Sequence, residues 1–202
     1  MTTPAPAQVT GSILAGGRAQ RMQGQDKGLL LCGGRPLIAY AIEVLKPLCG
    51  QLLINANRSQ ESYKAFGFPV IADTVPGFQG PLAGILTVLQ AADTPYLIAI
   101  PCDSPRLQST TLTRLLKALV ETSAQIALAH DGERLHPVIL ALRTELKDDL
   151  ADYLARGERK IDRWADRHHW VAVDCSDRPE QFANINTPED LKALERLIRT
   201  SL

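Results

Sequence analysis

Short apolar runs alternate with stretches of helical spacing through the first two thirds of this 202-residue chain, and that alternation restricts it to one class of fold. Strands are predicted at Val9 to Leu14, at Leu52 to Asn57, at Val70 and Ile71, and in the run TPYLIAIPCD, which ends its strand at Pro101. Between them lie an amphipathic stretch from Pro36 to Leu48, helix-like residues from Gln60 to Phe66 and a helical pattern from Leu82 to Ala92. A strand followed by a helix-length segment returns to the sheet by a crossover, which makes neighbouring strands parallel. The expected architecture is therefore α/β, in three layers: a mostly parallel, twisted, Rossmann-like sheet with helices on both faces.

The later sequence is less regular. Ser109 to Ser123 has helical spacing, Gln125 to Ala129, Val138 to Leu142 and Trp170 to Val173 read as strands, and Leu146 to Leu154 returns to a helical pattern. Thr187, Pro188, Glu189 and Asp190 supply a capping hydroxyl, a proline at the first helical position and early acids, so a terminal helix is predicted to start there. The length suits one domain over residues 1–202, with only the first few residues expected to be disordered.

Charge narrows the partners. Twenty-two basic residues balance 22 acidic ones, which gives no electrostatic reason to expect nucleic acid and favours a small molecule. Cys32, Cys49, Cys102 and Cys175 form no C-x-x-C pair, so neither a zinc cage nor a redox dithiol is expected, and they read as reduced thiols of a cytoplasmic protein. The N-terminus has no signal-peptide pattern and no run approaches a membrane span, so no membrane association is expected.

The segment LAGGRAQRMQGQDK, from Leu14 to Lys27, begins where the first strand ends, at the sheet edge where open α/β folds bind ligands. Gly16 and Gly17 lack Cβ atoms, which lets backbone N–H groups come close to phosphate oxygens. Arg18, Arg21 and Lys27 add positive charge over a short span, as a triphosphate and a departing pyrophosphate require. The segment is neither a G-x-G-x-x-G fingerprint nor a P-loop closed by G-K-[ST]. Asp103 follows the run YLIAIPC, so its carboxylate is expected to face the same cleft, where one acid is enough for Mg2+ when phosphate and water complete the shell.

The pattern L-A-G-G-x(3)-R-M-x(4)-K resembles the signature loop of nucleotidyltransferases that activate sugars, isoprenoid precursors and pterin cofactors. Asp26 precedes Lys27 where the sugar enzymes usually have proline, and HDGERLHP at His130 to Pro137 and NINTPEDL at Asn184 to Leu191 follow downstream. Together these motifs resemble the molybdenum cofactor guanylyltransferase family, from about Gly11 to Leu191. The resemblance implies transfer of GMP from GTP to the terminal phosphate of molybdopterin carrying molybdenum, with release of pyrophosphate. It implies Leu14, Ala15, Gly16, Lys27, Asn55, Asp73 and Asp103 as nucleotide contacts, with Gly17 beside them, and Asp103 as a Mg2+ ligand. Lys27, Arg21 and Asp103 are the expected catalytic groups. Asn186 is a second candidate metal ligand, with Asn184 as its alternative; both could instead shape the turn before the helix that Thr187 caps.

A carboxylate can accept from the N1–H and exocyclic amine of guanine together, but whether Asn55, Asp73 or backbone groups read the base is left open. The nucleotide is assigned to residues 9–105 and the acceptor to residues 106–202. On the acceptor side Asp131 to Pro137, including His136, and the basic residues Arg156, Arg159, Lys160 and Arg163 resemble the pterin-binding part, although a charged run is as readily a solvated helix face. A monomer is expected, served by molybdoenzyme chaperones or cofactor-insertion proteins. The alternatives are a cytidylyltransferase on the same acceptor and a non-catalytic nucleotide- or cofactor-binding homologue.

Overall fold

A computed structural model describes residues 3–16, 26–74 and 80–200, with side chains as far as residue 196. Gly17, Arg18 and Arg21 therefore lie outside the described residues. In chain order the elements are β1 (Val9–Leu14), β2 (Leu31–Cys32), β3 (Arg35–Pro36), α1 (Leu37–Leu45), β4 (Gln51–Asn55), α2 (Gln60–Lys64), β5 (Val70–Ile71), α3 (Pro81–Ala91) and β6 (Tyr96–Pro101). They continue with α4 (Ser109–Glu121), β7 (Ile126–His130), β8 (Leu135–Arg143), α5 (Lys147–Ala155), α6 (Ile161–Ala165), β9 (Trp170–Asp174) and α7 (Pro188–Thr200). Of the first few residues, expected to be disordered, Met1 and Thr2 lie outside the described residues, whereas close behind them Pro6–Gln8 form a 3-10 turn whose Pro6 carbonyl accepts from the Gly50 N–H at 2.6 Å.

Seven strands form one sheet in the order β5-β4-β1-β6-β8-β7-β9, and β2 and β3 make a separate small hairpin. β1 pairs in parallel with β4 and β6, β4 with β5, and β7 with β9, while β8 is antiparallel to both its neighbours. The sheet is thus mostly parallel, with one reversed strand. That reversal has a local cause: Asp131 Oδ1 accepts from the N–H groups of Glu133 and Arg134 at 2.9 and 2.8 Å, folding DGER into a tight turn too short for a crossover.

Helices cover both faces. Val9 and Ile13 of β1 pack in one buried cluster with Ile38, Ala41 and Leu45 of α1 and Leu112, Leu115 and Leu119 of α4. Leu53, Leu97, Leu140 and Leu142 face the other way, against Leu82, Ile85 and Leu89 of α3, Leu150 and Leu154 of α5, and Trp164 of α6. Residues Leu82 to Leu89 of α3 are all buried; Pro81 opens the helix, and Thr87 satisfies its hydroxyl on the Ala83 carbonyl at 2.9 Å. Spacing had given no indication of α6. Its five residues are too few for a periodic signal, and it is held by Trp164, which is fully buried.

Asp149, in the first turn of α5, anchors this region: its Oδ2 accepts from Trp164 Nε1 and His168 Nε2, both at 2.9 Å, and its Oδ1 from Arg167 Nη2 at 2.6 Å. His168 is thereby packed edge-on against Trp164. Burial acts to raise the Asp149 pKa, but these hydrogen bonds outweigh it and hold the carboxyl below its ordinary value. A depressed folded-state pKa contributes stability above the unfolded value, near 3.9, that is lost as pH falls through the folded value. Asp149→Asn is accordingly expected to melt at a lower temperature than the parent at pH 7, with the gap closing below about pH 4. Thermal melts across that range read the difference directly.

Candidate active site

β1 leads to β4 and β5 on one side, and β6 then joins on the other, so the ends of β1 and β6 mark the point where strand order reverses. An open α/β sheet has its crevice there, outside the carboxyl ends of the strands. Leu14 and Pro101 are paired at this edge, and the backbone continues the pairing beyond them: Cys102 N–H donates to the Leu14 carbonyl at 3.2 Å and Ala15 N–H to the Asn55 carbonyl at 2.8 Å.

Lys27 opens a 3-10 turn, Lys27–Leu29. Its ammonium donates to Asp103 Oδ2 at 3.0 Å and to Asn186 Oδ1 at 2.8 Å, bringing together residues 76 and 159 positions apart. The Lys27 and Asp103 side chains are 23% and 14% exposed, so the pair is sheltered yet open to a ligand. Behind Lys27, the Tyr63 hydroxyl donates to Asp26 Oδ1, and a Cβ on Gly28 would collide with that same hydroxyl. Burial, with the Cys102 thiol and Asp26 carboxyl nearby, holds the Tyr63 phenol far above its ordinary pKa, so it remains a donor. Tyr63 thus fastens the residue that precedes Lys27 in the chain.

The NIN segment is clasped to the same edge. Ser104 Oγ donates to Asn184 Oδ1 at 2.7 Å and Ile185 N–H to the Asp103 carbonyl at 2.9 Å. Asp190 accepts from the N–H groups of Asn186 and Thr187 at 2.9 and 2.8 Å, which hold its carboxyl below its ordinary pKa, and Thr187 Oγ1 caps the Asp190 N–H at 3.1 Å. The turn-shaping reading is seen directly: Thr187 caps the helix and Asn184 fastens the turn, while Asn186 of the two asparagines reaches Lys27. Asp103 Oδ2 and Asn186 Oδ1 converge on one cationic atom, and such hard oxygens are a donor set that fits Mg2+. No group of three or more His, Cys, Asp or Glu among the described residues could hold a metal, so a zinc-type cage has no counterpart there.

Asn55 and Asp73 form a second centre at the same edge. Asn55 Nδ2 donates to Asp73 Oδ1 at 2.8 Å and to the Ile71 carbonyl at 3.3 Å; Asn57 Nδ2 donates to Asp73 Oδ2 at 2.8 Å, and Asn57 Oδ1 accepts from the Asp73 N–H at 2.8 Å. Gly16 lies directly over these amides, where a Cβ would come within 3.0 Å of Asn57 Nδ2. Asn57 was not anticipated as part of this group. Neither were Tyr63 and Ser104, since only long-range contacts reveal them. Gly84 in α3 closes the centre from below, because a Cβ there would overlap Asn55 Oδ1 and press on Leu14. Gly84→Ala is expected to lower stability by about 1–3 kcal/mol through overpacking, measurable by denaturant unfolding.

Farther along, His136 Nε2 lies 2.7 Å from Asp131 Oδ2, and its ring stacks on Phe182 with centroids 4.3 Å apart. The Arg134 backbone, then His136 and the Glu133 backbone, hold Asp131 below its ordinary pKa. Arg159 donates to the Leu154 carbonyl at 2.7 Å, closing the end of α5, whereas Arg156, Lys160 and Arg163 are exposed.

The family described as MobA-like NTP transferase domain matches residues 11–171. Curated relatives include a molybdenum cofactor guanylyltransferase from Shewanella pealeana, 45% identical over 192 residues, and one from Shewanella halifaxensis, 46% identical over 192 residues. Each alignment covers 95% of this chain and 96% of the relative. The crystal structure of molybdopterin-guanine dinucleotide biosynthesis protein A from Archaeoglobus fulgidus superposes with a TM-score of 0.79 at 22% identity, covering 95% of this chain and 99% of that one. A 2-C-methyl-D-erythritol 4-phosphate cytidylyltransferase from Thermus thermophilus gives 0.71 at 17% identity, covering 93% and 98%. At such identities the two structures establish the shared fold.

Proposed function

The chain belongs to the MobA-like NTP transferase family, and we propose from this premise that it transfers GMP from GTP to the terminal phosphate of molybdopterin carrying molybdenum. One observation carries the reading: Lys27, Asp103 and Asn186, far apart in sequence, meet at the strand-order reversal, where a nucleotide's phosphates would lie. A phosphate oxygen of the acceptor attacks the α-phosphorus of GTP in line; its new P–O bond forms as the bond to the β-phosphate oxygen breaks and pyrophosphate leaves.

No general base is needed, because a phosphomonoester with a second pKa near 6 is already largely ionised at neutral pH. The protein's part is alignment and charge. Lys27, whose preceding residue Asp26 is fastened by Tyr63, supplies a fixed positive charge beside the phosphates, and Arg21 adds a second cation from the Gly-rich segment. Leu14, Ala15, Gly16 and Gly17 present close-approaching backbone, while Asn55 and Asp73 take the nucleoside end. Asp103 and Asn186 would hold Mg2+, which when bound neutralises phosphate charge. The nucleotide is assigned to residues 9–105 and the acceptor to residues 106–202, on the side of His136 and the α5 end.

No helix among the described residues is long and apolar enough to cross a membrane. A nucleotide screen tests the proposal. GTP is expected to bind tightly only with Mg2+, and pyrophosphate to appear when the molybdenum-bearing pterin is added. Preference for CTP would replace this reading with the cytidylyltransferase, and binding without turnover would replace it with a non-catalytic homologue.

A further inference from the structure

Asp73 accepts a hydrogen bond on each carboxylate oxygen, from Asn55 on one and from Asn57 on the other. The Asn57 amide is engaged twice, donating to Oδ2 and accepting from the Asp73 backbone N–H, both at 2.8 Å. Such a ring fixes the plane of the carboxylate against its own main chain. Each oxygen keeps a second lone pair, so the carboxylate retains the capacity to take two further parallel donors. Guanine offers such a pair in N1–H and its exocyclic amine, whereas cytosine offers none.

Asn55 cannot fill that role, because it offers one acceptor oxygen where the carboxylate offers two. Its Nδ2 already serves Asp73 and the Ile71 carbonyl, and the residue is 2% exposed. Asp73 is half-buried, at the same edge as Gly16. Asn57 is half-buried and lies between them, against the Gly16 backbone on one side and the Asp73 carboxylate on the other. Resting on the guanylyl-transfer reading above, we infer that Asn57 is a positioning residue for base selection: it sets the Asp73 carboxylate to read the amine edge of guanine.

The experiment compares the full-length protein with Asn57→Ala and Asn57→Asp, measuring Kd for GTP and for ITP with Mg2+. ITP lacks only the exocyclic amine, so the ratio isolates one donor. A hydrogen bond to a charged acceptor corresponds to roughly tenfold or more in affinity, and the parent protein is expected to prefer GTP by that margin. In both variants the ratio is expected to fall to within about threefold, through weaker GTP binding with ITP binding little changed. Asn57→Asp keeps the shape and replaces the donor by an acceptor facing Asp73, so it serves as the measurement if the alanine variant does not fold. A merely structural Asn57 would weaken both nucleotides equally and leave the ratio intact, which overturns the inference. A parent protein that binds GTP and ITP equally also overturns it, leaving guanylyl transfer standing; one that binds CTP in preference to GTP overturns both.

Discussion

Asp103→Ala is expected to reduce pyrophosphate release by about a thousandfold or more while leaving the protein folded. The Asp103 carboxylate fixes the Lys27 ammonium at 3.0 Å and, with Asn186, would form the protein's share of a Mg2+ site. Removing it takes away the only negative charge in that triad and frees the cation to leave the crevice. The fold is insulated because the contribution of Asp103 to the clasp is its backbone carbonyl, which accepts from Ile185 N–H and survives the substitution. The ion pair is sheltered but not fully buried and Lys27 keeps Asn186 as an acceptor, so its loss is expected to cost about 1–3 kcal/mol, between the values for an exposed and a buried pair. Asp103→Asn separates charge from geometry: it can still accept from Lys27, and it is expected to be nearly as inactive. Normal pyrophosphate release in either variant, with an unchanged thermal melt, would remove Asp103 from the mechanism.

Lys27→Ala is expected to lower GTP affinity and turnover together, each by about tenfold to a hundredfold. In the proposed reaction the ammonium would face phosphate charge in the bound substrate and more of it as pyrophosphate leaves, so both ground state and transition state would lose an interaction. Lys27→Arg is not a conservative test, since a planar guanidinium cannot occupy the point where two oxygens converge at 3.0 and 2.8 Å. Equilibrium binding and single-turnover rates measured side by side separate the two effects; an alanine variant normal in both would place Lys27 outside the site.

Much of this site could be read from the sequence because its backbone positions are local. Leu14, Asn55, Pro101 and His130 each end a strand, and the alternation of apolar runs with helical spacing locates those ends within a residue or two. The same local signals placed Thr187 and Asp190 at the start of α7, where the hydroxyl and carboxylate cap as expected. Where the reading fell short, the missing information was tertiary. The five residues of α6 are held by the burial of Trp164 rather than by periodicity, and β8 runs antiparallel because Asp131 folds a turn that a strand pattern cannot express.

Function divides along the same line. Motif content alone singled out the Gly-rich segment, Lys27 and Asp103 as candidates for nucleotide-transfer chemistry, because charge type and chain position relative to a strand end are properties of sequence. Tertiary structure alone decided the division of labour among the asparagines: Asn186 meets Lys27, Asn184 fastens to Ser104, and Asn57 joins Asp73. Those choices depend on contacts between residues up to 159 positions apart, and an amide placed at a strand or helix end has the same propensity whichever partner it meets. Spacing predicts where a side chain starts from; packing of the β1, β4 and β6 ends determines what it reaches.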